Sequence, residues 1–252
     1  RRAKHYAVFV ATGVYAARDM AVPGVGSQGV VPALDYLIAS NRVGLGVEVP
    51  DFISGKLSAE NKNVVVIGGG DTAVDCVRTA IRQGAESVTC LFRRDRGNMP
   101  GSQREVANAE EEDVRFDWLA SPLAVLEKKG GGAKAVKAVR MRLGLADASG
   151  RQAPEEIPGS DYELKADMVI KALGFDPEDL PAHFSEPKLA VNRWGGVKID
   201  YRTMMTSMDG VFAAGDIVRG ASLVVWAIKE GRDAATSIEQ YLRAKVSRAA
   251  AE

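Results

Sequence analysis

Short runs of apolar, mostly β-branched residues recur along the chain, with segments of helical or turn character between them. This alternation predicts an α/β fold. The predicted strands are Ala7–Val10, Asn63–Ile67, Ser87–Phe92, Arg115–Trp118, Leu123–Glu127, Ala135–Leu143, Leu164–Leu173, Val197–Asp200 and Met208–Phe212. The predicted helices are Pro32–Ser40, Thr72–Arg82, Ser102–Glu112 and Ser222–Ala244.

A glycine-rich turn joins the second predicted strand to the second predicted helix. Its residues fit the pattern G-x-G-x-x-G/A and are Gly68, Gly69, Gly70, Asp71, Thr72 and Ala73. Gly68 permits the tight turn, Gly70 lets a pyrophosphate approach the helix N-terminus, and Ala73 lets helix and strand pack closely. The unpaired N–H groups and the positive end of the helix dipole attract the anion. The turn therefore predicts a dinucleotide-binding site.

The next strand, Ser87–Phe92, ends in Arg93 and Arg94. At this place a carboxylate accepts the ribose 2′-hydroxyl of NAD, whereas arginine pairs with the 2′-phosphate of NADP. The arginine pair therefore predicts NADPH. A charge-assisted hydrogen bond contributes about 1.5–3 kcal/mol, so either arginine is expected to change the preference for NADP by roughly tenfold to a hundredfold.

Composition narrows the remaining classes of function. Lys plus Arg and Asp plus Glu both number 33 among 252 residues, so the charge predicts neither a nucleic-acid partner nor a membrane surface. No apolar run is long enough for a transmembrane helix. Cys76 and Cys90 form no C-x-x-C motif, and His5 and His183 lack metal-ligand spacing. We therefore expect no metal site, and both cysteines are expected to pack in the core.

Three further motifs lie far from the glycine-rich turn in sequence. They are Ala11-Thr12-Gly13 before it, Gly174 after it, and AAGD ending at Asp216 with a predicted helix behind it. Together they resemble the flavoprotein reductases that have two dinucleotide-binding domains. Within that group the stretches GGGDTAVD, LFRRDRGNMPGSQREVANAEEE, NRWGGVKID and LVVWAIKEGRDAA resemble the small (β) subunit of NADPH-dependent glutamate synthase. Dihydropyrimidine dehydrogenase and adrenodoxin reductase are more distant relatives by the same marks.

The resemblance implies a Rossmann-like NADPH-binding domain inserted in an FAD-binding domain of the pyridine nucleotide-disulfide reductase type. On this basis residues 1–62 are the first segment of the FAD-binding domain, 63–177 the NADPH-binding domain and 178–252 the closing FAD segment. The opening G-x-G-x-x-G for FAD and the cysteine-rich iron–sulfur region of the family have no counterpart here. The FAD domain is therefore expected to be partial, and an iron–sulfur cluster is expected only in an N-terminal part that this sequence lacks.

The resemblance also implies which residues contact the cofactors. On the FAD side they are Thr12, Gly13, Gly174, Gly215, Asp216, Val224, Val225 and Trp226. Asp216 is expected to bind an FAD hydroxyl group, and the helix start at Val224 to face the flavin; for Trp226, core packing is the alternative. On the NADPH side, Arg93 and Arg94 match the 2′-phosphate ligands. Glu105 falls where relatives place another nucleotide contact, with a solvated surface charge as the alternative.

One position departs from the family pattern near this predicted site. Asp113 stands where relatives usually have glycine after the acidic helix. Aspartate tolerates the left-handed backbone conformation less well than glycine does.

The implied activity is hydride transfer from NADPH to FAD, with electrons passing on to iron–sulfur clusters and a glutamate synthase large subunit in the cytoplasm. No catalytic acid or base is expected, because hydride transfer is cofactor chemistry that the protein supports by alignment and charge. Two alternatives stay open. The chain could be a nucleotide-binding fragment without turnover, or an NADPH-dependent disulfide reductase of the thioredoxin reductase kind, which the missing C-x-x-C disfavours.

Overall fold

The computed structural model describes residues 5–148, 150 and 152–249. The strands are β1 (Val8–Val10), β2 (Ala16–Ala17), β3 (Val30–Pro32), β4 (Asn63–Ile67), β5 (Ser87–Phe92), β6 (Arg115–Trp118), β7 (Ala120–Glu127), β8 (Ala133–Ala146), β9 (Gln152–Glu156), β10 (Tyr162–Lys165), β11 (Met168–Lys171), β12 (Phe175–Asp176), β13 (Ile199–Asp200), β14 (Met205–Thr206) and β15 (Val211–Ala213). The helices are α1 (Ala33–Gly44), α2 (Pro50–Ile53), α3 (Asp71–Arg82), α4 (Gln103–Glu111), α5 (Leu180–His183), α6 (Asp216–Arg219) and α7 (Val224–Ala249). The predicted α/β fold is confirmed.

The contacts divide the chain into two compact units. Residues 19–174 form the central unit, and residues 5–18 with 175–249 form the terminal unit. The predicted boundary at residue 62 differs from this division. Strand β3 pairs with β11 in the main sheet of the central unit, and Tyr36 and Ala39 of α1 are buried in the same core as Val77 of α3. The segment before residue 62 therefore mostly belongs to the central unit.

A five-stranded parallel sheet with the order β3-β11-β4-β5-β6 forms the middle of the central unit. Its strand β4 is buried along its whole length, as expected of a parallel strand that is covered on both faces. The alternation of side chains along β4 places Val64 and Val66 in the core with α1, α3 and α4. Val65 and Ile67 point to the other face and join a second core. The continuous apolar run NVVVI follows from this double burial.

An antiparallel sheet, β10-β8-β7, covers that second face. Strand β9 pairs with the far end of β8. The predicted hairpin is confirmed as β7 and β8, both of which are longer than expected. Gly130, Gly131 and Gly132 in its loop all have positive φ. Glycine adopts this backbone conformation without strain, so it suits all three positions.

The predicted strand Leu164–Leu173 is wrong, because the structure splits it into β10 and β11, which belong to different sheets. The break lies at Ala166 and Asp167. The N–H of Ala166 donates to Lys134 O at 3.0 Å, and the N–H of Asp167 donates to Asn63 O at 2.8 Å. The Asp167 carboxylate also accepts a hydrogen bond from the Asn63 side chain at 2.8 Å. Asp167, with both its N–H and its carboxylate bonded to Asn63, therefore lies between the end of β10 and the start of β11.

The terminal unit contains a four-stranded sheet with the order β1-β15-β14-β13, in which β1 runs parallel to β15. Strand β15 is buried on both faces. Val211 and Ala213 pack with Ile217, whereas Phe212 packs with Ala234 of α7. The predicted helix behind this strand is confirmed and extends to residue 249.

A two-stranded antiparallel ribbon, formed by β2 and β12, marks the place where the chain leaves and re-enters the terminal unit. Ala17 pairs with Phe175, and Ala16 pairs with Asp176. The Arg18 guanidinium lies 2.6 Å from the Asp176 carboxylate. The segment where the chain leaves the terminal unit, residues 16–18, therefore lies beside the segment where it returns, residues 175–176. Among the described residues, no helix has both the length and the apolar character needed to span a bilayer.

Candidate functional site

The glycine-rich turn between β4 and α3 has three glycines with different surroundings. Gly68 has φ +147°, and a Cβ there would lie 2.1 Å from Ala172 O. A Cβ on Gly69 would lie 2.3 Å from the Phe92 ring. A Cβ on Gly70 would meet no described atom within 4 Å beyond its immediate neighbours. The first two glycines are therefore required by packing, whereas the third leaves an open surface for a ligand.

The N-terminus of α3 opens onto this surface. Gly70 is its N-cap, and in the described chain no side chain caps this end. Ala73 is fully buried and lets the first turn pack closely on the sheet. The positive end of a twelve-residue helix is thus available to an anion. This is the geometry that a pyrophosphate needs.

The segment that follows β5 folds back over the turn. The N–H of Gly101 donates to Gly69 O at 2.9 Å, and the N–H of Ser102 donates to the Asp71 carboxylate at 2.8 Å. Asp95 caps the short 3₁₀ turn in the same segment by accepting from the N–H of Asn98 at 2.9 Å. Asp71, which the sequence pattern suggested as a cofactor contact, therefore already holds the neighbouring segment in place. No signal in the sequence pointed to this bond.

The two arginines at the end of β5 differ in burial. Arg93 is exposed, whereas Arg94 is partly buried. The Nε atom of Arg94 is buried and has no hydrogen-bond partner within the described residues. A buried cationic donor without a partner costs free energy, and a bound anionic group would remove that cost. The site therefore has a donor that fits a phosphate.

Glu105 lies in an ion-pair network between α3 and α4. Its carboxylate pairs with Arg78, which also donates to Glu112 at 2.7 Å. Arg82 donates to the same Glu112 oxygen at 2.8 Å. These hydrogen bonds hold the pKa of Glu112 below its usual value, and the bond from Arg78 makes the largest contribution. Glu105 thus has a structural partner, and a nucleotide contact at this residue stays a prediction.

Similarity to known proteins assigns the family. The model of the family described as pyridine nucleotide-disulphide oxidoreductase matches residues 1–231. The chain belongs to this family.

The chain is 63% identical over 246 residues to the glutamate synthase [NADPH] small chain of Azospirillum brasilense, covering 97% of this chain and 50% of the relative. It is 44% identical to the protein of the same name from Escherichia coli K12, over 94% of this chain and 50% of that one. The chain thus spans about half the length of these curated relatives.

Solved structures agree on the fold of this family member. FprA of Mycobacterium tuberculosis, in complex with NADPH, aligns with a TM-score of 0.75 at 18% identity, over 98% of this chain and 66% of that chain. The thioredoxin reductase of T. acidophilum aligns with a TM-score of 0.67 at 18% identity, over 94% and 66%. At these identities the likeness shows the shared fold alone.

The residues predicted on the FAD side lie in turns and at helix starts. Gly13 has φ +71° and Gly215 has φ +77°, both in the left-handed region. Asp216 begins α6 and accepts a hydrogen bond from Ser222 Oγ at 3.3 Å. Gly174, the last residue of the central unit, also has positive φ, at +88°. The glycines are therefore turn residues that a side chain would strain.

The start of α7 is an exposed apolar surface. Val224 is 70% exposed, Val225 60% and Trp226 42%. The alternative that Trp226 packs in the core is therefore wrong. Its ring instead lies under the Arg219 guanidinium, with 4.6 Å between Cζ and the ring centroid. Thr12 is also exposed.

Both cysteines are buried in the core around α3 and β5, as predicted. Cys76 and Cys90 are free thiols with no exposed surface. Burial raises the pKa of the Cys90 thiol to about 12 and also raises the pKa of the Cys76 thiol. Since the thiolate is the reactive form, neither cysteine is suited to thiol–disulfide exchange at neutral pH.

Proposed function

We propose that this chain is an NADPH-dependent flavin oxidoreductase module that binds NADPH in the central unit and FAD in the terminal unit. Bound FAD would supply the hydride acceptor. The residues of the chain bind and orient the two nucleotides and exclude water, and none of them needs to transfer a proton.

One observation carries the NADPH part. The unpartnered Nε of Arg94 lies at the end of β5, the strand that runs beside β4 and its uncapped helix turn. Parallel strands with this connection place the dinucleotide across their carboxyl ends. Gly70 and the N-terminus of α3 would hold the pyrophosphate, and Arg93 and Arg94 the 2′-phosphate. The residues present fit the cofactor.

The FAD part is supported by the terminal unit. Asp216 accepts one long hydrogen bond in the described structure, from Ser222, and so has capacity for the hydroxyl groups of a ligand. The N-terminus of α7 would favour negative charge on a reduced flavin. The residues of this unit proposed to contact FAD are Thr12, Gly13, Gly215, Asp216, Val224, Val225 and Trp226. A contact from Gly174 stays a prediction from the sequence.

The finer part of the proposal follows the relatives that are named glutamate synthase [NADPH] small chain. We infer that electrons leave the flavin for iron–sulfur clusters outside this chain and then reach a glutamate synthase large subunit. A cytoplasmic location is part of the same proposal.

The visible absorption spectrum of the purified chain, recorded before and after FAD is added, tests the proposal. A flavin band that NADPH bleaches without oxygen, and that NADH bleaches much more slowly, is the expected result. A chain that stays colourless but binds NADPH would instead be a nucleotide-binding module without turnover. Absence of binding to both nucleotides would contradict the whole proposal.

A disulfide reductase is not favoured as a second function. That reaction needs a pair of accessible thiols, and Cys76 and Cys90 are buried with raised pKa values. Reduction of a small disulfide by NADPH at the rate of flavin bleaching would contradict this conclusion.

A further inference from the structure

Glu230, at the end of the second turn of α7, is a buried charged residue of the terminal unit. Its side chain is 6% exposed, although the residues on either side of it are exposed or half-buried. The carboxylate accepts hydrogen bonds from the N–H of Gly215 at 2.9 Å and from Arg219 Nε at 2.7 Å, and pairs with Arg219 Nη2 as well. A buried carboxylate is tolerated because these donors compensate its desolvation.

These bonds connect three parts of the proposed flavin site. Gly215 comes directly before Asp216 and has the left-handed φ of +77°. Arg219 ends α6, and its guanidinium stacks on the ring of Trp226 in the first turn of α7. A single carboxylate therefore fixes the turn before Asp216, the end of α6 and, through Arg219, the start of α7.

We propose that Glu230 is a positioning residue for flavin binding. It touches no ligand itself, but it holds the Asp216 carboxylate and the Val224–Trp226 surface in one arrangement before a ligand binds. Such preorganisation raises affinity because the ordering cost is met during folding rather than during binding. The inference rests on the proposed FAD site and deepens it.

The effect is expected to be specific to this carboxylate. Glu239 lies further along the same helix, is exposed, and pairs with Arg243 four residues on at 2.6 Å. Exposed pairs of this kind contribute little to stability. Glu239→Gln is therefore a matched control that removes the same charge from the same helix without touching the network.

The test is a titration of the chain with FAD, followed by flavin absorbance and fluorescence, for the wild type, Glu230→Gln and Glu239→Gln. We expect Glu230→Gln to weaken FAD binding by about tenfold or more and to change the shape of the flavin band at saturation, and Glu239→Gln to change neither. NADPH affinity, measured in parallel, is expected to stay the same in all three, because its proposed ligands lie in the central unit.

Arg219→Lys is a second variant that keeps the buried charge paired but removes the planar fork and its stacking on Trp226. It is expected to show a smaller loss of FAD affinity, and it decides the question if Glu230→Gln does not fold. FAD affinity unchanged from wild type in the folded variant would overturn the role of Glu230 and leave the proposed function intact. A wild-type chain without any flavin band would overturn the FAD part of the proposed function, and this inference with it.

Discussion

Asp113 at the end of α4 occupies the same capping position as Gly84 at the end of α3. Both residues are left-handed, with φ of +66° and +84°. After each one, the N–H of the next residue donates back into the helix, at 3.0 Å after Asp113 and 3.1 Å after Gly84. The two helices therefore end in the same Schellman geometry, and only α4 has a Cβ at its left-handed residue.

We expect Asp113→Gly to stabilise the protein by about 0.5–1 kcal/mol, because glycine adopts the left-handed conformation without strain. The control is Gly84→Asp, which places a side chain in open space and should lose a similar amount. Urea unfolding of both variants measures the difference. A less stable Asp113→Gly variant would show that the aspartate side chain contributes more than its backbone strain costs.

Removing the arginine side chains at the end of β5 should change nucleotide preference. Arg93→Ala and Arg94→Ala are each expected to weaken NADPH binding by roughly tenfold to a hundredfold and NADH binding far less, because only NADPH carries the 2′-phosphate. Nucleotide affinities measured by calorimetry give the comparison. Arg96→Ala, which removes an exposed partner of Glu110, serves as control. An equal loss for both nucleotides would refute the role of the pair.

The two neighbouring glycines Gly69 and Gly70 should separate folding from binding. Gly69→Ala places a methyl group against the Phe92 ring and should cost about 1–3 kcal/mol of stability by overpacking. Gly70→Ala has φ −89° and open space, so it should fold normally but hold the pyrophosphate away from the helix. Thermal unfolding and NADPH titration of both variants test this. Full NADPH affinity in Gly70→Ala would place the ligand elsewhere.

Two tyrosines should respond in opposite ways to loss of the hydroxyl group. Tyr36 is fully buried, and its hydroxyl has no partner within the described chain. Tyr36→Phe is expected to be neutral or to stabilise by up to about 1 kcal/mol, since an unmet donor is removed. Tyr162 donates to the buried Asp117, so Tyr162→Phe should cost about 1–3 kcal/mol. A large loss in Tyr36→Phe would indicate a partner for that hydroxyl.

The junction between β10 and β11 should be sensitive to acid. Hydrogen bonds, above all those from Lys128 and Asn63, lower the pKa of Asp167 to about 2. Because this pKa lies below its value in the unfolded chain, the stabilisation is complete above about pH 4 and is lost as the pH falls towards 2. Asp167→Asn should therefore be less stable than wild type at pH 7, and the gap should narrow near pH 2. A gap that is independent of pH would contradict this.

Local patterns sufficed for the part of the fold that surrounds the glycine-rich turn. The sequence predicts three elements nearly to the residue: the strand Asn63–Ile67, the helix after it and the strand ending at Phe92. Runs of β-branched residues favour strands, and Gly84 ends the helix, so these signals depend only on neighbouring residues. The exposed position of Arg93 also follows from its place at a strand end. The unpartnered Nε of Arg94 does not, because burial of one atom depends on packing.

Contacts between distant segments could not be predicted in this way. Strand β3 has only three residues and gains its place in the sheet by pairing with β11, more than a hundred residues later. The hydrogen bond from Ser102 to Asp71 and the bonds from Gly215 and Arg219 to Glu230 likewise join residues whose types alone give no signal. Such partners emerge only once the chain is folded.

The β2–β12 ribbon makes the central unit removable in principle. Because Ala17 and Phe175 face each other across one antiparallel pair, a tight hairpin turn could replace everything between them without moving either strand. The central unit is in this sense an insertion into the chain of the terminal unit, with both connections at one ribbon.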